Sequence, residues 1–247
     1  HRLQQANFTD QPAGIVACLG ELTEPSDDSP LDSHITQLQS VSRSVFTQQG
    51  FSLLSTNDRN RLIYILLDQK VRKNWKTRLK KGMERVKKSM QAVSKHSPYI
   101  QFGIGKMTNE LNHLHTSFQT AQEALAIQQK LGKRTDVFYD DLHIYRIITY
   151  LNEAGKLHEF VMEYLEPIIQ YDRTRQGNMM QTLKTFLACN GSKQETAARL
   201  FIVRQTLYHR LEKLEDLLGP DFMHPEKRLA IELAILAYEY LQSSQAR

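Results

Sequence analysis

Apolar residues recur along this chain with two different spacings, and the spacing changes near residue 142. Before that point, short apolar runs typical of strands are separated by stretches in which apolar residues recur every three or four positions, as in helices that bury one side. After it, the helical spacing continues almost without interruption. The pattern predicts an α+β protein, with an N-terminal α/β sheet domain followed by an all-α domain.

In the first part, the pattern predicts strand, helix, hairpin, helix, strand, helix and strand in that order. A turn-rich segment with two prolines, 25–30, separates the first strand from the first helix. The polar segment 56–60 is expected to be the turn of the hairpin. The predicted elements are 13–19, 31–48, 51–55, 61–67, 74–93, 99–105, 111–131 and 137–139.

The second part is predicted to be helical throughout, and Pro167 is expected to kink or split one of its helices. The last helix begins at Pro225 and has two apolar sides. The side expected to close the core carries Leu229, Leu233, Leu236 and Tyr240. The side expected to leave apolar surface for a partner subunit carries Ile231, Ile235 and Tyr238. Helices are also predicted at 143–151, 157–171, 179–189 and within 192–218.

The segment 191–214 has the pattern of a short helix, a tight turn and a second helix. Gly191 is expected to end the preceding helix. Ser192, with Glu195 three residues on, has the pattern of a capping box. Leucines expected to face inward follow at four- and three-residue spacing, at Leu207, Leu211, Leu214 and Leu218. A second helix presented in this way is how many proteins read the major groove of DNA.

The opposite side of that second helix carries side chains that reach base edges or phosphates. Arg204 suits bidentate recognition of guanine, Gln205 suits adenine, and Thr206 suits a phosphate. The predicted DNA contacts are Ser192, Lys193, Arg204, Gln205, Thr206, Tyr208, His209 and Arg210. Capped helix pairs also occur in proteins that never touch nucleic acid, so a protein-interaction or nucleotide-sensing module without DNA binding is the alternative.

The run 200–215, with Phe201 in the turn, resembles the C-terminal helix-turn-helix domain of the PucR-like regulators, which include purine-catabolism and sugar-diacid regulators. Tyr171-Asp172 before Thr182-Leu183, and Phe102-Gly103-Ile104-Gly105, are similar to the same family. The sequence departs from the family where Val203-Arg204-Gln205-Thr206-Leu207 replaces the usual His-Arg-Asn-Thr-Leu, and at Tyr208 and His209. The operator sequence of this protein therefore cannot be inferred from the operators of its relatives.

The resemblance implies a degenerate GGDEF-like domain at 12–141, a helical connector at 142–177 and a helix-turn-helix domain at 178–247, with 1–11 as a linker remnant. It implies a DNA-binding transcription regulator, with purine or nitrogen catabolism genes as targets. We expect a homodimer, because a single small helix-turn-helix rarely gathers enough contacts for tight specific binding.

The GGDEF-like resemblance also raises an enzyme hypothesis. A working nucleotidyl cyclase needs acidic residues to hold magnesium, and glycines at the hairpin to let the backbone approach phosphates. The hairpin segment 55–60 has no glycine pair, and the first strand, 15–19, offers no carboxylate. We therefore expect no enzyme activity and no cofactor, and a role for the sheet domain in dimerisation or signal relay.

Charge is unevenly distributed along the chain. The net charge of +5 and pI of about 9.1 permit a nucleic-acid partner without requiring one. Between Lys70 and Lys95, eleven Lys or Arg stand against Glu84 alone, on a predicted amphipathic helix. This stretch is interpreted either as a solvated lysine face or as an auxiliary surface for DNA phosphates or an acidic partner.

The remaining candidate sites have ordinary interpretations. Cys18 and Cys189 lack metal-ligand spacing and indicate a reducing cytoplasm, and no apolar run reaches the length of a membrane span. His113 and His115 point in different directions on a helix, so we expect no metal site. Asp140-Asp141 is expected to cap a helix that starts near Leu142. The absence of an initiating Met predicts a fragment whose effector is bound by an upstream region.

Overall fold

The change in the spacing of apolar residues near residue 142 corresponds to a division of the molecule into two units. The computed structural model describes residues 12–22, 31–69, 74–93, 99–131, 137–175 and 177–245. It divides into two units, His1–Leu142 and His143–Arg247, which we call the sheet unit and the helical unit. The α+β fold class is confirmed, and the predicted turn at 25–30 lies outside the described residues.

The sheet unit contains a five-stranded sheet in the order β2-β3-β1-β4-β5. Every neighbouring pair is antiparallel except β4 and β5, which are parallel. The central strand β1 is almost entirely buried, because helices cover both faces of the sheet, and this explains its nearly continuous apolar sequence. The strands are β1 Gly14–Leu22, β2 Phe51–Asp58, β3 Arg61–Asp68, β4 Ile100–Ile104 and β5 Val137–Phe138.

The described residues of the sheet unit also form three α-helices: α1 Leu31–Gln48, α2 Trp75–Val93 and α3 Leu114–Lys130. The bounds of α1 are those predicted, and α2 begins one residue later than predicted. The main core lies between α1, α2 and one face of the sheet, where Phe46, Tyr64 and Phe102 are fully buried. On the other face, Ala121 and Leu125 of α3 pack against β1.

Close approach between α3 and β4 depends on two glycines. A Cβ atom on Gly103 would lie 2.5 Å from the carbonyl oxygen of Ala121, and one on Gly105 would lie 1.9 Å from that of Ser117. No side chain fits at either position without moving the helix backbone. The Phe102-Gly103-Ile104-Gly105 segment is therefore a helix-packing feature of this fold.

The hairpin is longer than predicted. The strands β2 and β3 pair from Phe51 opposite Asp68 to Asp58 opposite Arg61, which leaves only Arg59 and Asn60 in the turn. The prediction of a five-residue turn at 56–60 was wrong, because polar residues on an exposed strand end look like turn residues in the sequence. The backbone carbonyl of Asn60 accepts a hydrogen bond from the amide of Leu22 at 3.0 Å, which ties the turn to β1.

Acidic residues near the end of the sheet unit pair with α2. Asp140 and Asp141 lie in a 3-10 helix, Tyr139–Leu142, and their carboxylates lie 3.4 and 2.8 Å from the Lys76 ammonium. The next helix begins at Ile144, with His143 as its N-cap. The prediction that these carboxylates cap it was wrong, since the lysine across the unit is a nearer and stronger partner.

The described residues of the helical unit form six helices. They are α4 Ile144–Glu153, α5 Leu157–Arg175, α6 Met179–Ala188, α7 Lys193–Leu200, α8 Arg204–Leu218 and α9 Pro225–Gln245. Pro167 lies inside a single continuous α5, so a split of this helix is excluded, and the alternative of a kink stays a prediction. The helices α4 and α5 belong to the same unit as the helix-turn-helix pair, and α5 packs against α9.

The buried side of α9 differs from the predicted one. Ile231 and Ile235 are buried, whereas Leu229 is 64% exposed. Leu233 and Leu236 are only partly buried, and Tyr240 alone of the predicted core side is fully buried. The assignment of Ile231 and Ile235 to a partner-seating surface was therefore wrong. The helix is apolar on most sides, so its spacing could not decide which side meets α5.

Candidate nucleic-acid interface

The first helix of the pair, α7, begins where the sequence predicts. Asn190 and Gly191 adopt left-handed backbone conformations (φ 50° and 80°) that end α6, and Ser192 is the N-cap of α7. The Ser192 side chain accepts a hydrogen bond from the Glu195 amide at 3.4 Å. The Glu195 carboxylate instead accepts one from Arg199 at 2.6 Å, so only half of the capping box forms.

The turn between the helices consists of three residues, Phe201, Ile202 and Val203. Phe201 has φ 54° and ψ 40°, a left-handed conformation that costs about 1–2 kcal/mol for a residue with a side chain. Its amide donates to the carbonyl of Ala198, and the Ile202 amide donates to that of Ala197, so two of the four free carbonyls at the end of α7 are satisfied.

Buried leucines hold α8 in place from behind. Leu207, Leu211 and Leu214 are buried, as predicted, and Leu218 at the end of the helix is partly buried. Ala197 of α7 is buried as well, which fits the contact between α7 and α8. The two helices therefore form one packed unit, with a defined inner side and a defined outer side.

The outer side of α8 carries most of the predicted contacts. Arg204, Gln205, Tyr208 and His209 are exposed, and Thr206 is half-buried. Ser192 and Lys193, at the start of α7, are also exposed.

Two contacts organise this outer side. The Lys193 ammonium lies 4.6 Å from the centre of the Tyr208 ring and so links the start of α7 to the outer side of α8. His209 Nδ1 lies 3.6 Å from the Glu212 carboxylate on the next turn of the helix.

Arg210 differs from the other predicted contacts. It is half-buried, and its Nη1 donates to the Thr182 hydroxyl of α6 at 3.1 Å. That hydroxyl in turn donates to the carbonyl of Asn178 at 2.7 Å. The guanidinium therefore joins α8 to α6, a role that the sequence could not reveal because 28 positions separate the two residues.

Two cations on the outer side have no carboxylate partner. Among the described residues, no carboxylate lies within 4.0 Å of the side-chain nitrogens of Lys193 or Arg204. Over 179–237, eight Lys or Arg stand against seven Asp or Glu, so the helix pair has little excess charge as a whole. What it offers a phosphate backbone is the local placement of these unpaired cations.

The other candidate sites contain no metal-binding geometry. In the described ranges, no three His, Cys, Asp or Glu side chains converge as metal ligands. Cys18 and Cys189 are buried free thiols. His113 lies 3.7 Å from Glu110, and His115 contacts the carbonyl of Asn112 at 2.8 Å. None of the described helices has the length and hydropathy required to cross a membrane.

Comparisons with known proteins agree with this arrangement. Residues 179–237 match the PucR C-terminal helix-turn-helix domain, and residues 5–127 match the GGDEF-like domain. The sheet unit and helix pair described above thus correspond to two recognised domains. The chain belongs to the PucR-like regulators.

Curated relatives come from Bacillus subtilis strain 168. The chain is 27% identical to the DNA-binding transcriptional activator AdeR over 237 residues, 95% of this chain and 53% of that protein. It is 28% identical to the purine catabolism regulatory protein over 138 residues, 55% of this chain and 25% of that protein. It is 24% identical to the proline-responsive transcriptional activator PutR over 139 residues, 56% of this chain and 34% of that protein. The chain spans about half the length, or less, of these relatives.

Proposed function

We propose that the protein is a sequence-specific transcription regulator that reads its operator with α8. One observation carries this proposal: the polar side of α8 that begins at Arg204 is exposed, while Leu207, Leu211 and Leu214 anchor the helix from behind. A helix held in this way presents its N-terminal residues to the major groove.

The exposed side chains have the chemistry needed to read bases. Arg204 can donate two parallel hydrogen bonds to guanine, and Gln205 can both donate to and accept from adenine. Neither side chain has a hydrogen-bond or ion-pair partner among the described residues. Both are therefore free for a ligand. We assign Thr206, Ser192 and Lys193 to phosphates, and Tyr208 and His209 to the groove edge.

We also propose that the target genes belong to the catabolism of purines or other nitrogen compounds. The names of the purine catabolism regulator and of proline-responsive PutR support this assignment. Binding as a homodimer to a two-fold or tandem site would supply the contact area that one small helix pair lacks. The proposal gives the chain no catalytic role, and it places the protein in the cytoplasm, where its DNA is.

The proposal is tested by selecting duplexes from a random pool and then measuring variants on the selected sequence. We expect Arg204→Ala and Gln205→Ala each to reduce discrimination between the selected and a scrambled duplex. One bidentate contact with a base supplies about 1–3 kcal/mol of discrimination. The melting temperature should not change, because neither side chain makes a hydrogen bond or ion pair within the described part of the chain.

Lys156→Ala is the matched control, because it removes an exposed positive charge at the start of α5, far along the chain from α8. It should leave discrimination intact. Equal selectivity in all three variants and the wild type would contradict the assignment of α8 as reader. Failure to enrich any duplex, with capture of a protein or nucleotide instead, would favour the interaction-module alternative.

A further inference from the structure

The turn before α8 exposes two large apolar residues beside Arg204 and Gln205, which we call the reading surface. Phe201 is 95% exposed and Val203 is 70% exposed. Isolated apolar side chains are common on surfaces, but an almost fully exposed phenylalanine in a left-handed backbone conformation combines two unfavourable features at one position. The internal packing of the helical unit accounts for neither.

The position of these residues indicates what covers them. They stand directly before Arg204 and Gln205, the side chains proposed to read bases. Arg204 and, at the start of α7, Lys193 have no carboxylate partner among the described residues. Positive charge around an apolar edge suits a ligand that has anionic phosphates outside and apolar groups inside. Duplex DNA has this character, because the thymine 5-methyl groups line the floor of its major groove.

We infer that Phe201 and Val203 form an apolar edge of the reading surface that contacts thymine methyl groups, with Phe201 as the main contact. The inference rests on the proposed function and adds to it a recognition element for A·T pairs. Arg204 and Gln205 would read donor and acceptor patterns, while the turn would read the one apolar group that distinguishes thymine.

The left-handed backbone makes a clean test possible. Glycine adopts this conformation freely, and Phe201 contributes almost no buried surface, so Phe201→Gly should melt at the wild-type temperature or above it. Weaker DNA binding by this variant would then report the missing ring itself, since the protein remains folded. Tyr150→Ala, which removes an aromatic ring that is 53% exposed on α4, is the control for removing a surface ring.

The experiment uses the duplex that the wild-type chain selects. We expect Phe201→Gly to bind it roughly tenfold more weakly and Tyr150→Ala to bind it as the wild type does. Thymines in the duplex are then replaced one at a time by uracil, which lacks the methyl group but pairs identically. At one or two positions the wild type should lose about fourfold in affinity, as expected for one buried methyl, and Phe201→Gly should lose nothing further.

Several outcomes would overturn the inference. One is equal affinity of Phe201→Gly and the wild type for the selected duplex. A second is weaker binding with the same uracil sensitivity in both proteins, which would place the ring on the sugar-phosphate backbone. A change of oligomeric mass on sedimentation would assign the ring to a subunit contact. If the wild type selects no duplex, the proposed function fails as well, whereas each of the other results leaves it standing.

Discussion

At the residue scale, the N-terminus of α8 lacks the side-chain hydrogen bond that a preferred N-cap residue would provide. Val203 occupies the N-cap position in an extended conformation, and its side chain accepts no hydrogen bond. Serine, threonine, asparagine and aspartate are strongly preferred there, because their oxygens satisfy amides of the first turn. At the start of α7, by contrast, Ser192 provides this hydrogen bond.

This difference predicts that Val203→Thr stabilises the protein. The two side chains have nearly the same shape, and the hydroxyl would accept from a first-turn amide and raise the free energy of unfolding by about 1 kcal/mol. Urea denaturation measures this change. Ser192→Ala should shift the midpoint in the opposite direction by a similar amount. A lower midpoint for Val203→Thr would show that Val203 packs against something not apparent from its exposure.

At the element scale, α6 is positioned by a residue from the preceding helix. The Asp172 carboxylate accepts hydrogen bonds from the amides of Met179 and Met180 at 2.8 and 2.9 Å. Its negative charge also lies at the positive end of the α6 dipole. The sequence showed Tyr171-Asp172 only as a family resemblance, and the structure supplies the physical reason for the aspartate.

Removing this carboxylate should loosen the support of α8, because α6 contacts α8 through Thr182 and Arg210. We expect Asp172→Ala to lower the free energy of unfolding by about 1–2 kcal/mol, and Asp172→Asn to lower it by less, because the amide oxygen still accepts one hydrogen bond. Thermal melting of both variants beside the wild type gives the comparison. Equal losses in the two variants would mean that charge matters and hydrogen-bond geometry does not.

Sequence patterns predicted elements well where one spacing dominates and poorly where tertiary contacts decide. The bounds of α1 and the buried leucines of α8 follow from a single apolar stripe with polar residues opposite. In α9 two stripes compete, and only packing against α5 selects Ile231 over Leu229. The half-formed capping box has a local cause instead, since Arg199, four residues on in the same helix, competes for the Glu195 carboxylate.

At the scale of the whole molecule, the excess positive charge lies outside the helix pair. In α2, which the sequence predicts to be amphipathic, the apolar side is buried at Leu79, Met83, Val86 and Met90. Some of its cations have partners within the sheet unit: Lys76 pairs with Asp140 and Asp141, and Lys87 lies over the rings of Tyr99 and Phe102. Four exposed cations remain among the described residues of α2: Lys80, Lys81, Arg85 and Lys88. Lys81, Arg85 and Lys88 lie at helical spacing, and we call these three the basic stripe.

If the basic stripe contacts DNA phosphates, changing all three residues to glutamine should weaken binding to every duplex alike. The slope of log affinity against log salt should fall by about 0.9 for each phosphate that is no longer neutralised. Folding should not suffer, because like charges at this spacing repel each other. The control changes Lys156, Arg173 and Arg175, which removes the same charge from the helical unit. Identical salt slopes in the two triple variants would show the stripe to be a solvated face.

The separation of α8 into a buried leucine side and an exposed polar side has a consequence for how such proteins diverge. Since nothing described inside the subunit relies on the side chains at 204 and 205, they can be exchanged without repacking anything. After gene duplication, a copy of the regulator can therefore come to recognise a new operator through single codon changes at these positions. The same freedom makes those positions the natural choice for a randomised library, in which nearly every clone should still express as a folded protein.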